Sequence, residues 1–122
     1  MRLEDMGTTM PLMKQLGAAD SGPVVLVNKF TVAHEDREAL LAAWAADATF
    51  MRSQPGFIST QLHRGIGDSG VFLNYAVWES LEAFRNAFGQ PEFRSHLARY
   101  PASAVASPYL FEKVAVPGIC VK

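Results

Sequence analysis

Four strand-like segments and two helical stretches, in the order strand, helix, strand, strand, helix, strand, predict an α+β chain: a ferredoxin-like βαββαβ protomer with a four-stranded antiparallel sheet. The length supports a single domain, because 122 residues can bury a real core but cannot divide it in two. The order amounts to two βαβ halves, and no repeat at a solenoid period competes with it.

Residues 1–22 mix Met, Gly, Thr and Asp without a sustained period and are read as a flexible or loosely docked amino-terminal arm. The domain is expected over 23–117, with a short tail over 118–122. "PVVLVNKFTV" opens with Pro23, which a strand tolerates at its first position, and continues rich in Val. "EDREALLAAWAADATFMRSQ" then changes to helical spacing. Leu41, Trp44, Ala48 and Met51 are expected to form its apolar stripe, and Glu35, Asp36 and Glu38 sit where the helix dipole favours anions. "QPGF" stops this helix, since Pro55 cannot continue it and Gly56 permits a reversal. "FISTQLHR" alternates as a strand, "GIGDSG" turns the chain, and "VFLNYAVW" returns as the third strand. In "SLEAFRNAF", Ser80 can cap a short helix. "PEFRSHLARY" opens a further helical piece with Pro91, and "SPYLFEKVAV" closes the pattern as the fourth strand.

Charge removes several classes of partner. With 11 Lys and Arg against 12 Asp and Glu, and no basic run, the chain has no footprint for nucleic acid or an anionic membrane surface. No segment approaches the roughly 20 apolar residues of a membrane span. Cys120 is the single cysteine, so neither an intramolecular disulfide nor a Cys-based metal site is expected. The start "MRLEDMGTTM" lacks the apolar run of a signal peptide, and a reducing, cytoplasmic compartment is the expectation.

The third strand carries an asparagine among apolar residues. Asn is depleted in strands, and a buried amide without partners costs about 1–3 kcal/mol, so Asn74 needs a physical reason. In a ferredoxin-like sheet the first and third strands lie adjacent at the centre, expected here as a parallel pair, and helices cover one face only. Asn28 and Asn74 fall on those strands. Alternation places Asn28 with Leu26 and Phe30, and Asn74 with Phe72, Ala76 and Trp78. If both sets face the helices, two amides meet on the floor of a cavity. Val25, Val27, Leu73, Tyr75 and Val77 then lie on the bare face, where pairing with a second copy would bury them, so a homodimer is expected.

"QPGFISTQLHR", "FLNYAVWES" and "PEFR", in this order and spacing, resemble the antibiotic biosynthesis monooxygenase domain family from about Pro23 to Pro117. The resemblance implies a dimeric α+β barrel of ferredoxin-like protomers. For members near antibiotic pathways it also implies oxidation of polycyclic phenols such as anthrones to quinones by O2 without flavin, haem or metal. No cofactor and no metal are therefore expected; the expected partners are a second copy, a small aromatic substrate and O2. Asn74 and Trp78 match the pocket of the anthrone-oxidising members. Phe84 stands where such a relative can carry a phenol, which removes a hydroxyl. The haem-degrading branch fits less well: Asn28 matches its strand asparagine, but Ala87 and Phe88 stand where its tryptophan belongs, and His96 is one residue displaced from its ligand histidine.

Such chemistry makes demands that residues can meet. Triplet O2 reacts slowly with closed-shell molecules, so the substrate must first become an electron-rich anion; that requires a flat apolar pocket, a base, and donors where negative charge develops. Asn74, Trp78 and His96 form the candidate catalytic set, with His96 as base or ligand contact. Asn28, Phe30, Trp44, Phe84 and Arg94 are the candidate substrate-binding residues. Plainer roles stand beside these. Trp78 is a packing residue first and a donor second, Trp44 and Phe84 fit core as well as pocket wall, and Arg94 and Arg99 fit solvated ion pairs with neighbours such as Glu92. His63 suits a rim, His34 a helix start, and Cys120 an incidental thiol. The expected function is a cofactor-independent monooxygenase acting on a planar phenolic, anthrone or quinol-like molecule. The alternatives are a non-enzymatic small-molecule-binding barrel and a non-oxidative isomerase or cyclase using the same pocket.

Overall fold

The computed structural model describes residues 1–20 and 22–122. Its strands are β1 (Arg2–Leu3), β2 (Val24–Thr31), β3 (Phe57–Arg64), β4 (Val71–Trp78) and β5 (Val105–Phe111). Its helices are α1 (Leu12–Gln15), α2 (Arg37–Arg52, entered through a 3-10 turn at His34–Asp36), α3 (Leu81–Phe88) and α4 (Pro91–Leu97). One sheet holds all five strands in the order β1-β5-β2-β4-β3. The α+β ferredoxin-like core is present, but the sheet is mixed and has five strands where four antiparallel ones were expected, because β1 adds to β5 in parallel.

The central pair β2 and β4 is antiparallel, not parallel as expected. The chain leaves β2, returns through α2, and runs in β3 in the same direction as β2. The β3–β4 hairpin then reverses it, so β4 must oppose β2.

The amino-terminal segment, expected as a flexible or loosely docked arm, contributes β1 and α1 and follows the free edge of β5. Backbone bonds run from Arg2 N to Ala104 O and from Glu4 N to Ala106 O, each at 2.9 Å. Further along, the Gln15 side chain replaces a strand: its Nε2 donates to Leu110 O and its Oε1 accepts from Leu110 N, both at 3.0 Å. Ala106 and Leu110 thus turn their backbone groups to this edge, and Pro108, between them at the same parity, meets it with a nitrogen that has no hydrogen to place. Leu12 and Leu16 bury themselves beside Val24 and Leu110. An edge capped in this way is closed to adventitious strand pairing.

Local signals explain the remaining elements. Gly56 holds φ +85°, and a Cβ there would come within 2.4 Å of the Ala83 Cβ, so the turn after α2 requires glycine for both conformation and space. Ser80 Oγ accepts from Ala83 N at 3.0 Å to cap α3, while Asp20 of the amino-terminal segment accepts from Leu81 N and Glu82 N, holding that exposed carboxyl below its usual range. The apolar stripe of α2 runs as expected through Trp44, Ala48 and Met51, but it starts at Leu40 and not at Leu41. Leu40 is fully buried and Leu41 is 38% exposed, and Ala43 and Asp47 turn inward beside the stripe. Asp47 therefore places an acidic side chain on the sheet side of the helix, between Trp44 and Met51.

Candidate active site

Two apolar clusters make up the core, and the two asparagines divide them. Along β2, Leu26 belongs to the first cluster and Phe30 to the second; along β4, Ala76 and Trp78 belong to the first and Phe72 to the second. Asn28 and Asn74 occupy the gap in each strand and are directly opposed across the β2–β4 ladder. At an opposed pair the Cβ atoms lie about 4.5–5.5 Å apart, so two polar side chains enter one space where the flanking helix-side positions of both strands are apolar. The clusters cannot close over them. A cavity results between the sheet and α2, α3 and α4.

Its walls are mainly aromatic. Trp78 meets Phe57 edge-on at 5.3 Å and Phe84 edge-on at 5.7 Å between ring centroids, and Phe30 stacks on Tyr100 at 5.6 Å with 12° between planes. Trp44, Met51, Phe88 and Phe93 complete much of the surface. Such an apolar, aromatic-walled space suits an aromatic ring system.

The polar atoms in this wall are few and incompletely paired. Thr60 Oγ1 donates to Asn74 Oδ1 at 2.5 Å, which fixes the amide and leaves its NH2 group as the end available to a ligand. Asn28 Oδ1, Trp78 Nε1 and Asp47 Oδ1 are buried with no hydrogen-bond partner among the described residues. Three orphaned polar atoms in one cavity each carry a cost of about 1–3 kcal/mol that a bound molecule with complementary groups would remove.

Asp47 is the one acidic residue lining the cavity among the described residues. Its Oδ2 accepts from the Tyr100 hydroxyl at 2.8 Å. Burial raises the Asp47 pKa, outweighing the Tyr100 hydrogen bond and the nearby His96, both of which act to lower it. Burial, the charge of Asp47 and their hydrogen bond push the Tyr100 phenol far up, so it remains a donor. A carboxyl raised in the fold releases its proton more readily in the unfolded chain. Stability is therefore lost as pH rises from the ordinary carboxylate value through the raised one. Asp47→Asn should accordingly unfold at a higher temperature than the parent at pH 7, with the difference closing below about pH 4, as scanning calorimetry across pH would show. An Asp47→Asn variant that melts lower than the parent at pH 7 would contradict that sign.

Of the residues singled out from sequence, Asn28, Phe30, Trp44, Asn74, Trp78 and Phe84 line this cavity together. His96 and Arg94 are not among its lining residues. On α4 the cavity-facing positions are Phe93 and Leu97, four apart; His96 lies off that line and packs against Phe50 of α2 at 5.6 Å, while Arg94 is exposed. Sequence reasoning passed over Thr60, Asp47 and Tyr100. An acid within an apolar helical stripe, three residues after Trp44 and four before Met51, was the available signal for Asp47. Among the described residues no three His, Cys, Asp or Glu side chains are grouped as a metal site needs, and no helix is long and apolar enough to cross a membrane.

The family described as antibiotic biosynthesis monooxygenase matches residues 23–99. Deoxynogalonate monooxygenase of Streptomyces nogalater is 35% identical over 92 residues, 75% of this chain and 77% of that protein. The crystal structure of SnoaB, a cofactor-independent oxygenase from Streptomyces nogalater, superposes with a TM-score of 0.72 at 32% identity, covering 80% of this chain and 99% of that one. A Mycobacterium tuberculosis protein shares the fold at 20% identity, with a TM-score of 0.65 over 79% of this chain and 99% of that one. The chain belongs to the antibiotic biosynthesis monooxygenase family.

Proposed function

We propose that this protein is a cofactor-independent monooxygenase that oxidises a planar phenolic, anthrone or quinol-like molecule with O2. The observation that carries this reading is the aromatic-walled cavity in which Asn28 Oδ1 and Trp78 Nε1 are buried without partners beside the tethered Asn74 amide. A ring bearing both hydroxyl and carbonyl groups supplies what those atoms lack: an O–H for Asn28 Oδ1 and an oxygen for Trp78 Nε1 and the Asn74 NH2. The same two donors stabilise the oxygen of an enolate or phenolate, which lowers the cost of making the electron-rich anion. For an anthrone the reaction balances as one CH2 group plus O2 giving one C=O group plus water. Similarity to a cofactor-independent oxygenase supports the same chemistry.

Each chain is proposed to act within a homodimer. The sheet face without helices presents Val27, Leu73, Val77, Tyr75 and Phe111, the last two 41% and 43% exposed, and a second copy is the occupant that the family resemblance implies. Sedimentation should therefore give twice the 13.3 kDa chain mass.

Oxygen uptake by the purified, metal-free protein with a panel of anthrones and hydroquinones, read alongside quinone absorbance, tests the activity. Protein-dependent uptake supports it. Tight binding of panel members without uptake or any change in the ligand would select the carrier reading, and conversion without uptake the isomerase or cyclase.

A further inference from the structure

We infer that Asp47 is the group that takes the substrate's proton. The inference deepens the oxygenase reading and rests on it for the identity of the substrate. An anion-forming step needs a base within the cavity, and His96 does not line it. Asp47 does, on the inward face of α2, opposite the sheet that carries Asn28 and Asn74. The Tyr100 hydroxyl holds Oδ2 and is itself fixed by the stack on Phe30, so the carboxylate has a set orientation with Oδ1 buried and unpartnered. The hydrogen-bonding capacity left at Oδ1 is that of an acceptor.

The step is a proton transfer. A C–H or O–H bond of the substrate breaks, its electron pair stays on the ring system as enolate or phenolate, and the proton passes to Asp47 Oδ1, leaving a neutral carboxylic acid. Trp78 Nε1 and the Asn74 NH2 group face the resulting charge from the sheet. Burial strengthens Asp47 as a base by raising its pKa towards neutrality. The titratable groups that act on it are Tyr100 and His96; Tyr100 stays protonated and cannot compete for the proton. A buried carboxylate that lowers stability at neutral pH, inside a cavity, is a recognised mark of function.

Deuterium exchange at the acidic methylene of an anthrone, under argon in deuterated buffer and followed by NMR, isolates this step from oxygen chemistry. The parent protein should accelerate exchange, and Asp47→Asn should lose about 100-fold or more of that acceleration while still quenching tryptophan fluorescence on anthrone binding. Tyr100→Phe should retain exchange but move its acidic limb to higher pH, because it removes the hydrogen bond that lowers the Asp47 pKa. Exchange by Asp47→Asn at the parent rate, or no acceleration by the parent, overturns the assignment. Oxygen uptake measured in parallel separates the two ideas: exchange that depends on Asp47 without uptake keeps the base and removes the oxygenase reading.

Discussion

Replacing Asn74 with Ala is expected to lower turnover by about 10²–10³-fold, the loss typical of removing one preorganised donor from developing negative charge. The protein should remain folded, because Asn74 interrupts the core and contributes little to it; the side-chain hydrogen bond it surrenders is that from Thr60. Thr60→Val sharpens the test. It keeps the Asn74 amide but frees its oxygen, so the side chain can flip and offer the wrong end to the substrate. The loss should then fall on kcat more than on KM and be smaller than for Asn74→Ala. Steady-state oxygen uptake on a confirmed substrate reads both variants, and parent-like turnover in Asn74→Ala would remove this residue from the site.

Trp78 separates packing from chemistry. The side chain is 1% exposed and meets both Phe57 and Phe84 edge-on, so Trp78→Ala should destabilise the fold by about 3–5 kcal/mol in urea titration. Trp78→Phe keeps much of the apolar contact and deletes an indole N–H that is buried without a partner, which offsets part of the lost packing. Its stability should therefore lie much closer to the parent than to Trp78→Ala, while its turnover falls if the N–H donates to the substrate anion. A Trp78→Phe variant with parent turnover would leave this residue a purely structural role.

The sequence alone determined the framework: four strands and the helices between them, the Pro-Gly break after α2, the Ser80 cap, and the two asparagines on the helix side of adjacent central strands. These features are local. Period-two alternation, helical spacing and capping chemistry act over a few residues, so a linear reading recovers them. Phe30, Trp44, Trp78 and Phe84 were legible as cavity wall or core for the same reason.

Tertiary structure decided the rest. Whether α2 turns Leu40 or Leu41 inward depends on how it packs against the sheet and α4; the same packing brings Asp47 inside beside Trp44, Ala48 and Met51, where spacing indicates only an apolar stripe. Tyr100 lies 53 positions from Asp47, and their hydrogen bond exists only once α4 is laid against α2. The same docking gives the inner line of α4 to Phe93 and Leu97 and leaves His96 against Phe50. The arm along β5 has the same cause, since Gln15 finds its partner, Leu110, 95 residues away. Contacts this distant are selected by the packing of whole elements, and no spacing within the chain encodes them.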